Sequence, residues 1–276
     1  MRSNIVTLAL LRDTFREALA RKIFWGLFGF STVLILFFIF IMKIDIVEGA
    51  LATVSLFGQE MRATDVNRLV RSVHSAVAAF LYSAGVFVFV FASAGLIPTV
   101  FEPGRIELLL SKPVPRWHIL LGRYAGNLLV VAANMLYLVV SIWVIFGIKA
   151  EIWSGHFLSS LWMTVFVFGV LLTVVLLVAI LWESAALATI VAYTVMIVSL
   201  LVAQRGLLER LLSSEWSRNV IRGIYWVLPK IWDCGDLGRR LVQGEPIENW
   251  TPVWSTALFG VVVLGASLFA FSRRNY

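Results

Sequence analysis

Three histidines, His74, His118 and His156, and one short run, Asp233, Cys234 and Asp236, have the side-chain types that bind metal ions or pass protons. Their spacing argues against both kinds of chemistry. Metal-dependent hydrolases set two histidines one helical turn apart, as in HExxH, and nucleophilic catalysis needs a hydroxyl or thiol beside a base. Each histidine here stands in a predicted loop without such company, so a structural role is expected for all three. Two carboxylates and one thiol in a turn-rich stretch are a thin donor set, and no metal site is assigned. No GxxxxGK(S/T) run occurs, so the chain lacks a phosphate-binding loop of its own. Cys234, the single cysteine, has no partner for an intrachain disulfide. Neither a catalytic centre nor a cofactor is expected in this chain.

The elements that remain to be positioned are long and apolar. Of 276 residues, 60% are hydrophobic and 14% charged, with mean hydropathy +0.91. A hydrocarbon core about 30 Å thick is crossed by about 20 apolar residues in a helix. Six such runs are assigned, at 23–42, 76–98, 120–147, 157–181, 185–203 and 252–271. The fold class is therefore all-α, a single polytopic transmembrane domain over 1–276. Before the first run, residues 4–22 put Ile5, Leu8, Leu11, Phe15 and Leu19 at helical spacing against Arg12, Asp13, Arg16 and Glu17, an amphipathic helix for the membrane surface. The apolar run that follows is too long for a cleaved signal and lacks a small-residue cleavage site. Only Trp182, Glu183 and Ser184 separate the fourth and fifth runs, a tight helical hairpin. The extracytoplasmic segment 204–251 has Trp216, Val220, Ile224, Val227 and Leu228 at helical spacing before Pro229, predicting short helices in the outer leaflet.

Charge sets orientation. The net charge of +7 has no aromatic-rich basic groove to accompany it, so nucleic acid is excluded and lipid headgroups are the expected partners of these cations. Raw Lys and Arg counts, 11 on one face and 12 on the other, are balanced. Seven of the twelve fall in the 48-residue outer segment, much of it distant from the spans, so the short flanks place both termini in the cytoplasm. Asp and Glu are missing from the span centres, which favours an external energy source over an ion gradient. Tyr82, Ser83, Asn127, Asn134, Tyr137, Ser141, Thr164, Thr173, Tyr193 and Thr194 interrupt the runs and are read as interhelical glue; the substrate pathway is not assigned. Gly122 and Gly126 permit a close helix approach.

The loop FEPGRIELLLSKPVPRWHILLG, residues 101–122, carries the most information. Pro103 and Gly104 turn the chain, good helix formers follow, Pro113 stops them and Pro115 can sit in the first turn of the third span, leaving a two-turn helix on the inner face. By physics alone, a docking knob and an ordinary interfacial turn with snorkelling charges are equally good readings.

E-P-G-R-I-E-L-L-L-S-K-P-V-P-R followed by I-L-L-G-R-Y resembles the loop after the second span of type-2 ABC exporter permeases. The likeness extends to the amphipathic elbow, six spans, the turn between spans four and five, Y-W-V-L-P at 225–229 and the final F-S-R-R-N-Y, and is greatest to permeases grouped with copper-enzyme maturation transporters. It implies that the loop 101–118 is a coupling helix docking an ATPase through Glu102, Gly104, Arg105, Glu107, Lys112 and Arg116, with Glu183 secondary. It further implies two separate ATPase subunits carrying ATP and Mg, a second six-span copy or homologue, and a prokaryotic cytoplasmic membrane. Two alternatives stay open: a secondary transporter or channel that needs no ATPase, and a non-transporting anchor for an ATPase complex.

Overall fold

A computed structural model describes residues 22–41, 43–47, 51–56, 59–63, 66–94, 115–206, 208 and 214–274. Helix α1 spans Lys22–Ile41 and is followed by strands β1 (Lys43–Val47), β2 (Leu51–Leu56) and β3 (Gln59–Ala63). Then come α2 (Val66–Ala94), α3 (Arg116–Ala150), a 3-10 turn at Gly155–Leu158, α4 (Ser159–Trp182) and α5 (Ala185–Ala203). The order ends with α6 (Glu215–Val227), α7 (Ile231–Gln243) and α8 (Thr251–Arg273).

Among the described residues, five helical stretches are long and apolar enough to cross a membrane: Arg71–Ser93, Trp117–Lys149, Gly155–Trp182, Ala185–Ala203 and Thr251–Arg273. Helix α1 is apolar over the shorter stretch Phe24–Phe40. The protein is a multi-pass helical membrane protein. Large apolar side chains such as Phe40, Phe91, Trp162, Leu258 and Val261 lie on the outside, where hydrocarbon rather than water is the natural solvent.

The hub is α4, whose apolar window is 78% buried, against 17% for α8. Val167, Phe168, Leu171, Leu172, Val175, Leu176, Ala179 and Ile180 are fully enclosed, because α2, α3, α5, α7 and α8 all pack around it. Polar side chains tie neighbours together as the sequence suggests. Ser31 of α1 donates to Asn134 of α3 at 3.0 Å, Ser93 of α2 to Asn127 of α3 at 3.2 Å, and Tyr124 of α3 to the Gly169 carbonyl of α4 at 3.1 Å. Thr164, Thr173 and Thr194 instead bond to carbonyls of their own helices, so they add no glue between elements. Gly122 and Gly126 are both buried.

The helix ends fall into two sets. Glu183 closes α4 in the left-handed region at φ 53°, Ser184 caps α5 by accepting the Leu187 amide at 3.3 Å, and the Arg274 guanidinium after α8 reaches back to the same tip. At the opposite end, Lys149 in the last turn of α3 donates to the α1 carbonyls of Phe38 and Ile39, which have no helical partner of their own.

Three features depart from the sequence reading. The second span was expected to begin at 76, but α2 starts ten residues earlier. Strands β1, β2 and β3 form a three-stranded antiparallel sheet in that order, with Lys43 paired to Ser55 and Ala52 to Ala63, where no element was foreseen. Segment 204–251 does hold short helices, yet α7 is packed into the bundle against α2 and α4 rather than resting on its surface.

Candidate functional site

Two regions qualify, one at each end of the bundle. Of the residues selected for docking, Glu102, Gly104, Arg105, Glu107 and Lys112 lie outside the described residues, as does the elbow of 4–22 except Lys22, which opens α1. Arg116 opens α3, and Pro115 stands immediately before it as the N-cap with φ −58° and ψ 137°, one residue short of the first turn expected for it. Glu183 accepts from Arg274 at 2.8 Å, with both side chains partly exposed. The structure thus joins one sequence-selected residue, Glu183, to the C-terminal flank.

The opposite end carries a polar cluster that sequence reasoning did not assemble. Pro229 cannot continue α6, and the chain breaks over Leu228, Pro229 and Lys230 before α7 begins. That break is sunk into the bundle. Ser199 of α5 donates to the Pro229 carbonyl at 2.9 Å and accepts the Ile231 amide at 3.1 Å. Thr256 of α8 accepts the Lys230 amide at 2.9 Å. Two hydroxyls therefore satisfy backbone groups that a helix break leaves orphaned.

Lys230 itself is only 3% exposed. Its ammonium donates to Ser255 of α8 at 2.8 Å and stands 4.5 Å from the Tyr225 ring centroid and 4.9 Å from that of Trp226. Arg205, beyond the end of α5, sits 3.8 Å over the same tyrosine ring. The Tyr225 hydroxyl donates to Asp233 in the first turn of α7 at 2.7 Å. Burial holds the Lys230 ammonium below its usual range, with Arg205 adding to the effect and Asp233 opposing it. Burial and the Asp233 carboxylate push the Tyr225 phenol up to about 12. Burial likewise raises the Cys234 thiol to about 12, next to Thr256 at 3.8 Å. The clue was present in the sequence as tyrosine, tryptophan, proline, lysine and aspartate within nine residues, but Arg205, Ser199 and Ser255 come from other elements.

Asp233, Cys234 and Asp236 do not converge. Asp233 turns to Tyr225, Cys234 into the core and Asp236 to Arg239 and Arg240, at 2.7 and 3.0 Å. Burial alone would raise the Asp236 carboxyl, but hydrogen bonds from the two arginines outweigh it and hold it below the usual range. Among the described residues, no group of three His, Cys, Asp or Glu side chains could hold a metal ion.

The loop placement of two histidines is corrected. His74 is inside α2, buried between Phe146 and Phe157 at ring distances of 4.3 and 4.8 Å, because α2 extends outward to pack on α3 and the 3-10 turn. His118 lies in the first turn of α3 against Trp117. His156 is in the 3-10 turn and exposed. No family model and no curated protein matches this chain.

Proposed function

We propose that this chain is the membrane-spanning subunit of an ATP-driven type-2 ABC exporter, with six spans, α1 being the first. It works as one half of a dimer, driven by two separate ATPase subunits that carry ATP and Mg. The observation behind this reading is the charged, proline-bounded sequence of 101–118 between α2 and α3. The described helix ends that it connects, at Ala94 of α2 and Arg116 of α3, lie toward the α4–α5 tip and the C-terminal flank, because Ser93 bonds Asn127 of α3 and α3 and α4 are joined by a short turn at their other ends. A docking ATPase would meet one surface made of the loop, Arg116 and Glu183.

ATP binding closes the two nucleotide subunits against each other, and a rigid two-turn helix in the loop transmits that motion to α2 and α3. The dimer of bundles is the two-state element, biased by nucleotide affinity between inward-open and outward-open forms. Its membrane is a prokaryotic cytoplasmic membrane with both termini inside. The test is copurification in mild detergent, with vanadate-sensitive ATP hydrolysis measured on the complex. An ATPase subunit in stoichiometric amount supports the reading; its absence from a crosslinked, intact complex promotes a carrier or channel.

A further inference from the structure

Helix α6 packs on α5 at the far end of the bundle, opposite the α4–α5 tip, and turns Tyr225 inward. At 3.6 residues per turn, Trp216, Val220, Ile224 and Val227 fall on one arc of the helix, and Glu215, Arg218, Asn219 and Arg222 on another, roughly opposite. All four apolar residues are exposed, Trp216 by 74% and Val227 by 70%. A contiguous apolar arc is a surface that meets something other than water.

Hydrogen bonds fix the depth of the helix. Helix α5 has 19 residues and is ~28 Å long, barely the thickness of a hydrocarbon core, so Ala203 stands at the hydrocarbon boundary. The break that ends α6 is bonded to Ser199, four residues back from Ala203. On α8 the break is bonded to Ser255 and Thr256, four and five residues in from Thr251. At about 1.5 Å per residue, both helices put Pro229 and Lys230 about 6 Å inside the far ends of their spans. Broken backbone is tolerated at that depth because Ser199 and Thr256 satisfy it.

We propose that α6 lies in the plane of the leaflet at this end, with its Trp216, Val220, Ile224 and Val227 face covered by phospholipid acyl chains. Phospholipid is the occupant because the last turn of α6 runs into a break that is itself below the hydrocarbon boundary, where exposed Ile224 and Val227 have chains beside them. Charge agrees. Two arginines against Glu215 leave the opposite arc net positive, complementary to the phosphate layer above it.

The experiment is power-saturation EPR on full-length protein in nanodiscs of phosphatidylethanolamine and phosphatidylglycerol, with a nitroxide on Val220→Cys, Val227→Cys or Asn219→Cys. Cys234→Ser is the background, since Cys234 is the single cysteine and sits fully buried on the core face of α7. Oxygen concentrates among acyl chains, whereas a nickel chelate stays in water. Val220→Cys and Val227→Cys should show an oxygen-to-nickel accessibility ratio severalfold above that of Asn219→Cys, although residues 219 and 220 are consecutive. Equal ratios at 219 and 220 would overturn the proposal, because α6 would then stand in water as part of a cap. Exclusion of both reagents from Val220→Cys would also overturn it, because protein would then cover the face. Each variant is checked by gel filtration and melting. Where a cysteine variant unfolds, tryptophan quenching decides: emission lost in Trp216→Phe should be a part quenched by brominated phospholipid, and quenching of that part by acrylamide alone would contradict the lipid contact. Neither readout needs an ATPase subunit, so the exporter reading can fail while this one stands, and the reverse.

Discussion

Replacing Gly235 by alanine tests how α7 is seated. The added Cβ would sit 2.6 Å from Cε1 of Tyr82, 3.0 Å from Cδ1 and 3.2 Å from Cζ. Carbon contacts settle at about 3.5–4.0 Å, so the ring or the helix must retreat by about 1 Å. The ring is poorly free to do so, because its hydroxyl is bonded to the Ile231 carbonyl on the same helix. Over-packing of this kind costs about 1–3 kcal/mol, offset by about 1 kcal/mol of helix propensity gained on leaving glycine. The expected net loss is up to about 2 kcal/mol, or up to about 8 °C in melting temperature at about 2–4 °C per kcal/mol. Thermal unfolding followed by tryptophan fluorescence in detergent measures it. Repeating the change in a Tyr82→Ala background should abolish the cost, as the clashing ring is gone. An equal cost in both backgrounds, or none in either, would refute the close-approach argument.

Three further outcomes are expected. Asn134→Leu removes one hydrogen bond from Ser31 and also an amide nitrogen that has no partner among the described residues, so stability should stay within about 1 kcal/mol of wild type; a loss above about 3 kcal/mol in the same melt would contradict a simple gluing role. Glu183→Gly loses a half-exposed ion pair but relieves a non-glycine residue at φ 53°, so the melting temperature should hold or rise, while ATPase association should weaken if Glu183 belongs to the docking surface. Burial lowers Lys230 in the folded chain, so up to its ordinary 10.5 the unfolded chain keeps a proton the folded chain releases, and this group contributes stability that rises with pH, against the opposite contribution of Cys234 and Tyr225, whose raised values keep protons on the folded chain. Lys230→Met removes the rising contribution, so melting temperature should fall more steeply than in wild type toward pH 10.5 in a pH series of melts; an unchanged slope would show that Lys230 does not contribute.

Much of the bundle was legible because lipid imposes a severe rule: backbone must be bonded internally and side chains must be apolar for about 20 residues. Glu183 and Ser184 at the α4–α5 tip stand where the interruption of apolar sequence put them. What escaped was helix that does not look like a span. Arg68, Arg71, His74 and Ser75 read as loop by hydropathy, yet they continue α2 outward, with His74 and Ser75 shielded by neighbouring elements rather than by lipid. Helix α7 carries Asp233, Asp236, Arg239 and Arg240, which hide a buried face of Ile231, Cys234, Gly238 and Val242 at spacings of three and four. The Lys230 cluster was illegible for a different reason. Its members come from four elements, and only the depth at which Pro229 sits brings Ser199, Ser255 and Arg205 to it. The sheet of β1, β2 and β3 joins short strands, and no window suited to spans detects them.

The central claim, that the loop between α2 and α3 docks an ATPase, is most directly tested by charge reversal at Glu107. The tagged wild-type chain and Glu107→Lys would be purified in parallel from native cells in mild detergent, and the copurifying ATPase subunit quantified by mass spectrometry. The expected result is a stoichiometric subunit with wild type and a severalfold loss with Glu107→Lys, the membrane subunit itself remaining monodisperse. A complex of undiminished stoichiometry in the variant, or no ATPase with either chain, would contradict it.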